Sequence, residues 1–459
     1  MRHALLGYLT LALALALAAG TAGCSGGPAS AGDRSPSLEW ERTYGGSGDE
    51  EIYAIAAAAD GGVVLAGYSA SSDGDLPGTR AGQDAWLLKL GPSGNPEWQT
   101  VLGGSMDDVA ISVSQTTDGG FVSAGFTWSG DGNFPAPEGA RARPETPPES
   151  AMARPAPGRQ GPRRAWAAKV DGTGRVQWAR VYGLDGFYGI SAIAPAADGG
   201  FIAVGDVLSN DAACRAEGPK PFSFDIWALR LDQLGEVLWL RCLGEPLNDL
   251  PLGAVASADG GAVLGATAWD RGRESGAPAG PGEGAWATAL GPDGRTLWTR
   301  EYAGAGAERA FSFRATPKGG YVIAGMKGSW GPGTDTQRVN AAVKTGVDGE
   351  VDWSSVPGGA GRLIDVLPSA GGYLAVLIPF TGDQGPSGAG SHPHDLVLAR
   401  LGAGGAEEWR SGYGQAEGRP ATAFTVAADG GLVAAGAVQK PRGPGESGDK
   451  DAWAMKLTP

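Results

Sequence analysis

Histidine is nearly absent from this chain. It has 459 residues and three histidines. Two of them, His392 and His394, sit with Asp395 in "SHPHD". Metal binding needs more ligands than this loop offers, and none is evident. With so little histidine and no GxSxG, a Ser-His-Asp hydrolase is not expected. Basic clusters are missing too, and the net charge is −14. The nearest approach is the Pro-rich stretch from Ala140 to Arg164, which has too few apolar residues to bury. A nucleic-acid partner is therefore not expected. Outside the extreme N-terminus no long stretch keeps a 3.6-residue apolar period, which excludes helical architectures. No cofactor motif stands out, and no catalytic constellation is recognised. Cysteine is limited to Cys24, Cys214 and Cys242.

Glycine is plentiful, with 80 residues. Short apolar runs lie between Gly, Pro and Asp, a pattern of all-β structure. At the N-terminus, "MRHALLGYLTLALALALAAGTAGC" has one Arg, an apolar run and small residues before Cys24. Those are the proportions of a secretory signal peptide over 1–23. "TAGC" resembles the lipobox of bacterial lipoproteins. That resemblance implies cleavage before Cys24, a diacylglycerol on its thiol and an acylated (palmitate-type) new amine. Several acyl chains anchor stably where one does not. Ser25, in place of Asp, implies sorting to the outer membrane in diderm bacteria. Residues 24–37 then form the lipidated Cys and a flexible tether.

The rest is a repeat. "AADGGVVLAG" (Ala58–Gly67) returns as "TTDGGFVSAG", "AADGGFIAVG", "PKGGYVIAG" and "AADGGLVAAG". Tryptophans 40, 98, 178, 239, 298, 353 and 409 each open one unit. Trp40 precedes Asp60 by 20 residues, and the same gap recurs from Trp98, Trp178, Trp239, Trp298 and Trp409. A second module precedes each following Trp, as in "DAWLLKLGPSGNPEW" (Asp84–Trp98). Its Gly94 returns as Gly174, Gly235, Gly294, Gly349 and Gly405. Each unit therefore holds four strands. In the first, a is "IYAIAAA", b "VVLAGYS", c "AWLLKL" and d "EWQTVL", and "DGG" and "GPSGN" are the hairpin turns. Strand b does not alternate, so it is buried on both faces. Trp86 and Trp98 are expected to face each other across the c–d hairpin.

Seven such units predict an all-β fold, a seven-bladed β-propeller of four-stranded blades over 38–459. The chain enters on a strand d ("SLEWERTY") and leaves after a strand c ("DAWAMKL"). An N-terminal strand is thus expected to close the ring. The stretch 131–164 is expected to be a disordered loop inserted in blade 2. The phrase "W…YGGSGDE…DGG…AG…DAWLLKL…G…W" resembles repeats of secreted and lipid-anchored bacterial propellers. The c–d hairpin with Lys89, Gly94 and Trp98 also resembles the tryptophan-docking repeats of quinoprotein dehydrogenases. It is similar as well to the repeats of a lipid-anchored propeller that assists outer-membrane protein assembly. The resemblance implies the fold and leaves the chemistry open. Quinoprotein enzymes carry eight blades, a calcium site and often adjacent cysteines, and none of these is visible here. The Asp-box turn of glycoside-cleaving propellers fails on spacing, since Gly294 directly follows Asp293.

Candidate site residues follow from the phase of the repeat. The b–c and d–a connections should emerge on one face, and the a–b and c–d hairpins on the other. Nearly all length variation falls between b and c. Trp128, Trp269 and Trp330 break the repeat just after strand b, so they are the expected aromatic anchors of the b–c/d–a face. The acidic turns "GGSGDEE", "GGSMDD" and "SSDGDLPG" are expected there as a solvated rim, with no Ca²⁺ ligand spacing recognised. Cys214 and Cys242 both fall in blade 3, and an exported chain would meet an oxidising compartment, so a disulfide between them is expected. The resulting expectation is a lipid-anchored binding or scaffolding module at the bacterial cell envelope, with a protein or glycan partner. The alternative is a propeller-based enzyme, quinoprotein-like or glycan-active.

Overall fold

The computed structural model describes residues 36–458, except 75–81, 135–162, 184–187, 209–223, 245–247, 270–283, 306, 328–338, 359–360, 379–395, 414–420 and 441–448. The described residues form seven four-stranded antiparallel sheets. Blade 1 has strand a at Glu50–Ala57, b at Val63–Ser69, c at Asp84–Leu90 and d at Pro96–Leu102. The innermost strands of blades 2 to 7 are Asp108–Gln115, Ala192–Pro195, Asn248–Ala256, Arg309–Ala315, Arg362–Ser369 and Ala421–Val426. Each packs on the next, and the seventh packs on the first. The architecture is a seven-bladed β-propeller.

Every residue of strands b and c in blade 1 is buried, whereas strand d is largely exposed. The middle strands lie between neighbouring blades, so both of their faces must be apolar. Small residues set the blade spacing. Ala56, Val64, Ala66 and Leu87 of blade 1 share one core with Phe121, Trp166 and Ala168 of blade 2.

The ring closes as the sequence predicts. Leu38–Tyr44 pairs antiparallel with Lys450–Leu457 and becomes strand d of blade 7. Trp40 lies opposite Lys456, and Tyr44 opposite Ala452. Closure gives the edge of the last strand c a covalently distant partner.

The repeated "DGG" has a separate physical reason at each position. Asp60 Oδ1 accepts the Gly62 N–H at 2.9 Å and tightens the turn. Gly61 sits at φ +87°, where a side chain is strained. Gly62 has an ordinary φ, but a Cβ there would lie 2.2 Å from the Leu90 carbonyl oxygen of strand c. Asp118, Asp198, Asp259 and Asp429 hold their turns through the same hydrogen bond.

The strand-d tryptophans bind blade to blade. Trp40 Nε1 donates to the Pro92 carbonyl at 2.9 Å, and a Cβ on Gly94 would lie 2.8 Å from the same indole. Trp98, Trp178, Trp239 and Trp353 donate likewise to Gly172, Gln233, Pro292 and Ala403 in the next blade. Each of these tryptophans therefore covers the turn glycine of the next blade, not the glycine of its own hairpin. This corrects the expected Trp86–Trp98 pair. In register, Trp86 faces Val101 and Trp98 faces Lys89. Trp86 is fully buried between blades, while Trp98 turns outward onto the blade 2 turn.

Candidate functional site

Backbone hydrogen bonds fix which connections share a face. Ala70 N donates to Asp49 O, Trp128 N to Asp107 O, and Asn133 N to Gly103 O. The d–a turns and the b–c loops of blades 1 and 2 thus meet on one face, called the loop face below. The hairpin turns meet on the other. A Cβ on Gly61 of the a–b turn would lie 3.5 Å from Pro92 of the c–d turn.

The acidic turns of the loop face do not form a solvated rim. Glu50 and Asp108 are completely buried, and Asp107 nearly so. Each of the first two receives hydroxyls from the end of strand b and the start of the b–c loop. Ser69 and Ser71 donate to Glu50 at 2.6 Å, and Ser129 donates to Asp108 at 2.8 Å, with Thr127 as a second donor. Backbone amides of the turns complete the set: Gly46 N on Glu50 and Gly104 N on Asp108. Among the described carboxylates of these connections, Asp73 and Asp131 are exposed, and they cap the Ser47 and Ser105 amides. The expectation failed because "GGSGDE" contains a strand a residue as well as a turn, and the strand buries it. Burial pushes the Asp108 carboxyl up to about 6, with the nearby Asp84 adding to the rise against the opposing Thr127, Ser129 and Gly104 hydrogen bonds.

The three tryptophans fare differently. Trp128 follows strand b of blade 2, is half-buried, and sets its ring edge-on to Phe126 at 5.1 Å. The Arg163 guanidinium lies 5.1 Å from the Phe126 ring and is paired with Asp206 of blade 3. Trp269 is the last residue of strand b in blade 4, opposite Asn248. Trp330 lies outside the described residues, as do Cys24, Cys214 and His392 to Asp395. Cys242, near the end of strand d in blade 3, is disulfide-bonded to a partner outside the described residues. Within 131–164, the described ends are ordered. Phe134 is fully buried and stacks on Trp166 at 4.9 Å, and strand c begins at Arg164.

The turn face repeats a buried cation; the sequence reading named Lys89 in the c–d hairpin but not the carboxylates that it meets. The position three residues after Trp86 is Lys89. Its ammonium pairs with Asp60 and Glu97, each at 2.9 Å. Lys169, Arg230 and Lys456 pair with Asp118, Asp198 and Asp429. Blade 5 has Lys318 and blade 6 has Ala370 where the other five have Asp, and in blade 5 Lys344 pairs with Asp352 instead, at 2.9 Å. Blade 4 has Ala289 at the cation position. These pairs hold the Asp118 carboxyl down at about 2, through Thr116 and then Lys169, and lower Asp198 and Asp429 through Arg230 and Lys456.

An axial cavity of about 500 Å³ lies inside the ring, lined by strand a of all seven blades. In six blades a β-bulge interrupts strand a. The unpaired residues are Tyr53, Ile111, Leu252, Phe311, Ile364 and Thr422, and each lines the cavity. The third glycine of the repeat makes room for this bulge: a Cβ on Gly67 would lie 1.8 Å from the Glu51 carbonyl oxygen. Among the described lining residues the only charged pair is Arg314–Asp365, with Nη2 to Oδ2 at 2.7 Å and Nε to Oδ1 at 3.3 Å. Among the described residues, no three His, Cys, Asp or Glu side chains gather as metal ligands.

No family model matches the chain, and no curated protein matches it in sequence. Solved structures do resemble it. Sqt1 from Chaetomium thermophilum is 12% identical, with 92% of this chain and 99% of that one covered and a TM-score of 0.44. A protein of unknown function from Bacteroides caccae is 11% identical, covering 72% and 90%, at 0.37. A puromycin hydrolase mutant is 15% identical, covering 86% of this chain and 51% of that one, at 0.45. Likeness at this level carries no functional argument, and the propeller assignment rests on the strand pairing itself.

Proposed function

We propose that this protein is a binding module held at the bacterial cell envelope, which meets its partner through the loop face. The observation that carries this reading is the construction of that face. Buried carboxylates tie the d–a turns to the b–c loops, so the loops start from a fixed base. A preorganised platform loses less freedom on binding. Trp128, Phe126 and Arg163 supply an aromatic and cationic cluster of the kind enriched at binding hot spots. The partner in this reading is a protein or a glycan. Anchoring through a lipid on Cys24, at the outer membrane, rests on the N-terminal sequence. The disulfide at Cys242 suits an oxidising, exported location. In the same reading its partner is Cys214. A propeller-based enzyme is the competing class, and it would need charged groups converging on a pocket. The axial cavity offers one ion pair among its described residues, which favours binding over catalysis.

The test is capture of the partner from envelope membranes by cross-linking the anchored protein, followed by mass spectrometry. The Trp128→Ala, Trp269→Ala, Trp330→Ala variant should recover much less of it than the parent. Cys24→Ser should move the protein out of the membrane fraction and abolish acyl labelling. Undiminished recovery by the first variant would reject the loop face, and unchanged fractionation and labelling of the second would reject the anchor.

A further inference from the structure

Two walls of the axial cavity carry a serine at the same register position and differ in what that serine meets. Between blades 2 and 3, two serines of strand a bind the backbone of the next strand a. Ser112 Oγ accepts from Ile193 N at 3.1 Å, and Ser114 Oγ donates to Ile193 O at 2.8 Å. Strand register identifies the same positions between blades 5 and 6. Ser112 and Ser312 both lie opposite the residue before the repeat glycine of strand b; Ala192 does the same in blade 3, and Asp365 does so in blade 6, where Leu377 stands at the glycine position. Ser114 corresponds to Arg314, and Ile193 to Val366. Here Asp365 takes the Val366 N–H itself, at 2.9 Å, and Arg314 binds Asp365. Ser312 Oγ therefore has lost the amide that its counterpart accepts. It has no hydrogen-bond partner among the described residues, although Ser312 is only 7% exposed. A buried hydroxyl left unpaired is costly, so one in a cavity wall marks a place where a ligand group belongs.

The surroundings define that group. Arg314 uses two of its N–H groups on Asp365, and 42% of its side chain stays accessible. The remaining donors and the Ser312 hydroxyl favour a hydrogen-bond acceptor. Asp365 already neutralises the guanidinium, so an anionic ligand would gain little from Arg314 and be repelled by Asp365. A neutral acceptor fits better. Beside this polar spot the bulged residues Leu252, Phe311 and Ile364 present apolar surface to the same cavity. Leu252 and Ile364 are aliphatic and flank the Phe311 ring, and this apolar trio suits an apolar side chain more than a polyhydroxylated sugar. We infer that the axial cavity binds a short peptide segment, with a backbone carbonyl at Arg314 and Ser312 and an apolar side chain against Leu252, Phe311 and Ile364. A cavity of about 500 Å³ has room for two or three residues of chain. This site is separate from the loop face, so either can stand if the other falls.

The experiment titrates the full-length protein with the capped peptide acetyl-Ala-Leu-Ala-amide, followed by calorimetry. Its uncapped form, with a free carboxylate, and the disaccharide maltose are the comparison probes. Saturable binding is expected for the capped peptide, with weaker binding for the carboxylate and none for maltose. Arg314→Ser with Asp365→Ala rebuilds the wall found between blades 2 and 3, returning the Val366 amide to Ser312. That variant should keep the parent's melting temperature and bind at least tenfold more weakly. Ser312→Ala alone should weaken binding about fivefold, as for one neutral hydrogen bond. The inference is overturned if the capped peptide does not bind, if the carboxylate or maltose binds more tightly, or if the rebuilt wall binds as well as the parent.

Discussion

The two faces of the propeller use carboxylates in opposite ways. On the turn face, Asp60, Asp118, Asp198 and Asp429 are about half exposed and each meets a buried cation of strand c. On the loop face, Glu50 and Asp108 are buried and are met by hydroxyls and amides. The first arrangement repeats from blade to blade and fixes blade geometry. The second fixes the base of loops whose lengths differ. The face of short recurring hairpins is held by these pairs, and most variation in loop length falls on the other. That division is why a partner is placed on the loop face.

Breaking closure should have the largest effect, because both faces depend on it. Deleting Leu38–Tyr44 removes strand d of blade 7 and exposes the edge of Lys450–Leu457. A loss on the order of 5 kcal/mol is expected, comparable with the net stability of a small domain. Urea unfolding and light scattering would show it, and a truncated protein that melts like its parent refutes closure.

The comparison sharpens with one tryptophan from each face. Trp178 donates to Gln233 O and meets Phe201 edge-on at 5.6 Å. Trp178→Ala should cost about 3 kcal/mol. Trp128→Ala should cost less than about 1 kcal/mol while weakening partner capture. Equal stability losses from the two substitutions would erase the distinction between scaffold and binding face.

Titration separates the faces by sign. The Asp108 carboxyl is raised above its ordinary value, so its favourable contribution is complete below about pH 4 and is lost as pH rises through about 6. The turn-face aspartates are lowered, so theirs is present at neutral pH and is lost as pH falls below the ordinary carboxylate range toward about 2 for Asp118. Asp108→Asn should therefore be up to about 2 kcal/mol more stable than the parent at pH 7.5, with the advantage shrinking toward pH 4. Chemical denaturation at the two pH values measures this, and a difference independent of pH counts against a raised Asp108. The smallest effect is expected from Lys89→Met. Its partners are about half exposed, so solvent screening limits the loss to about 1 kcal/mol. Blade 4 already folds with Ala289 at this position.

The scaffold was legible in the sequence because backbone geometry demands particular residues at fixed spacing. The turn glycines and the docking tryptophans are such residues, and strand b was predicted at its observed limits, Val63–Ser69. Pairing partners were less legible. Trp86 and Trp98 share a hairpin, but register and the pull of the next blade turn them apart. The buried acids were misjudged because charge alone suggests exposure, whereas Ser69, Ser71, Thr127 and Ser129, 19 to 21 residues further along the chain, supply their partners from the end of strand b and the start of the b–c loop. The axial cavity was missed altogether. Aligning strand a across the blades would have shown Arg314 and Asp365 where blades 2 and 3 have Ser114 and Ala192. No periodicity reveals that the two meet.

The most direct test of the account sets face against face in one experiment. Partner recovered by cross-linking from envelope membranes would be measured for the parent, for the triple alanine variant at Trp128, Trp269 and Trp330, and for a variant with Ser93→Lys, Thr173→Lys and Asp293→Lys at exposed positions of the turn face. The account predicts that recovery falls at least tenfold for the loop-face variant and is unchanged for the turn-face variant. Full recovery with the tryptophans gone, and loss when the turns are altered, would contradict it.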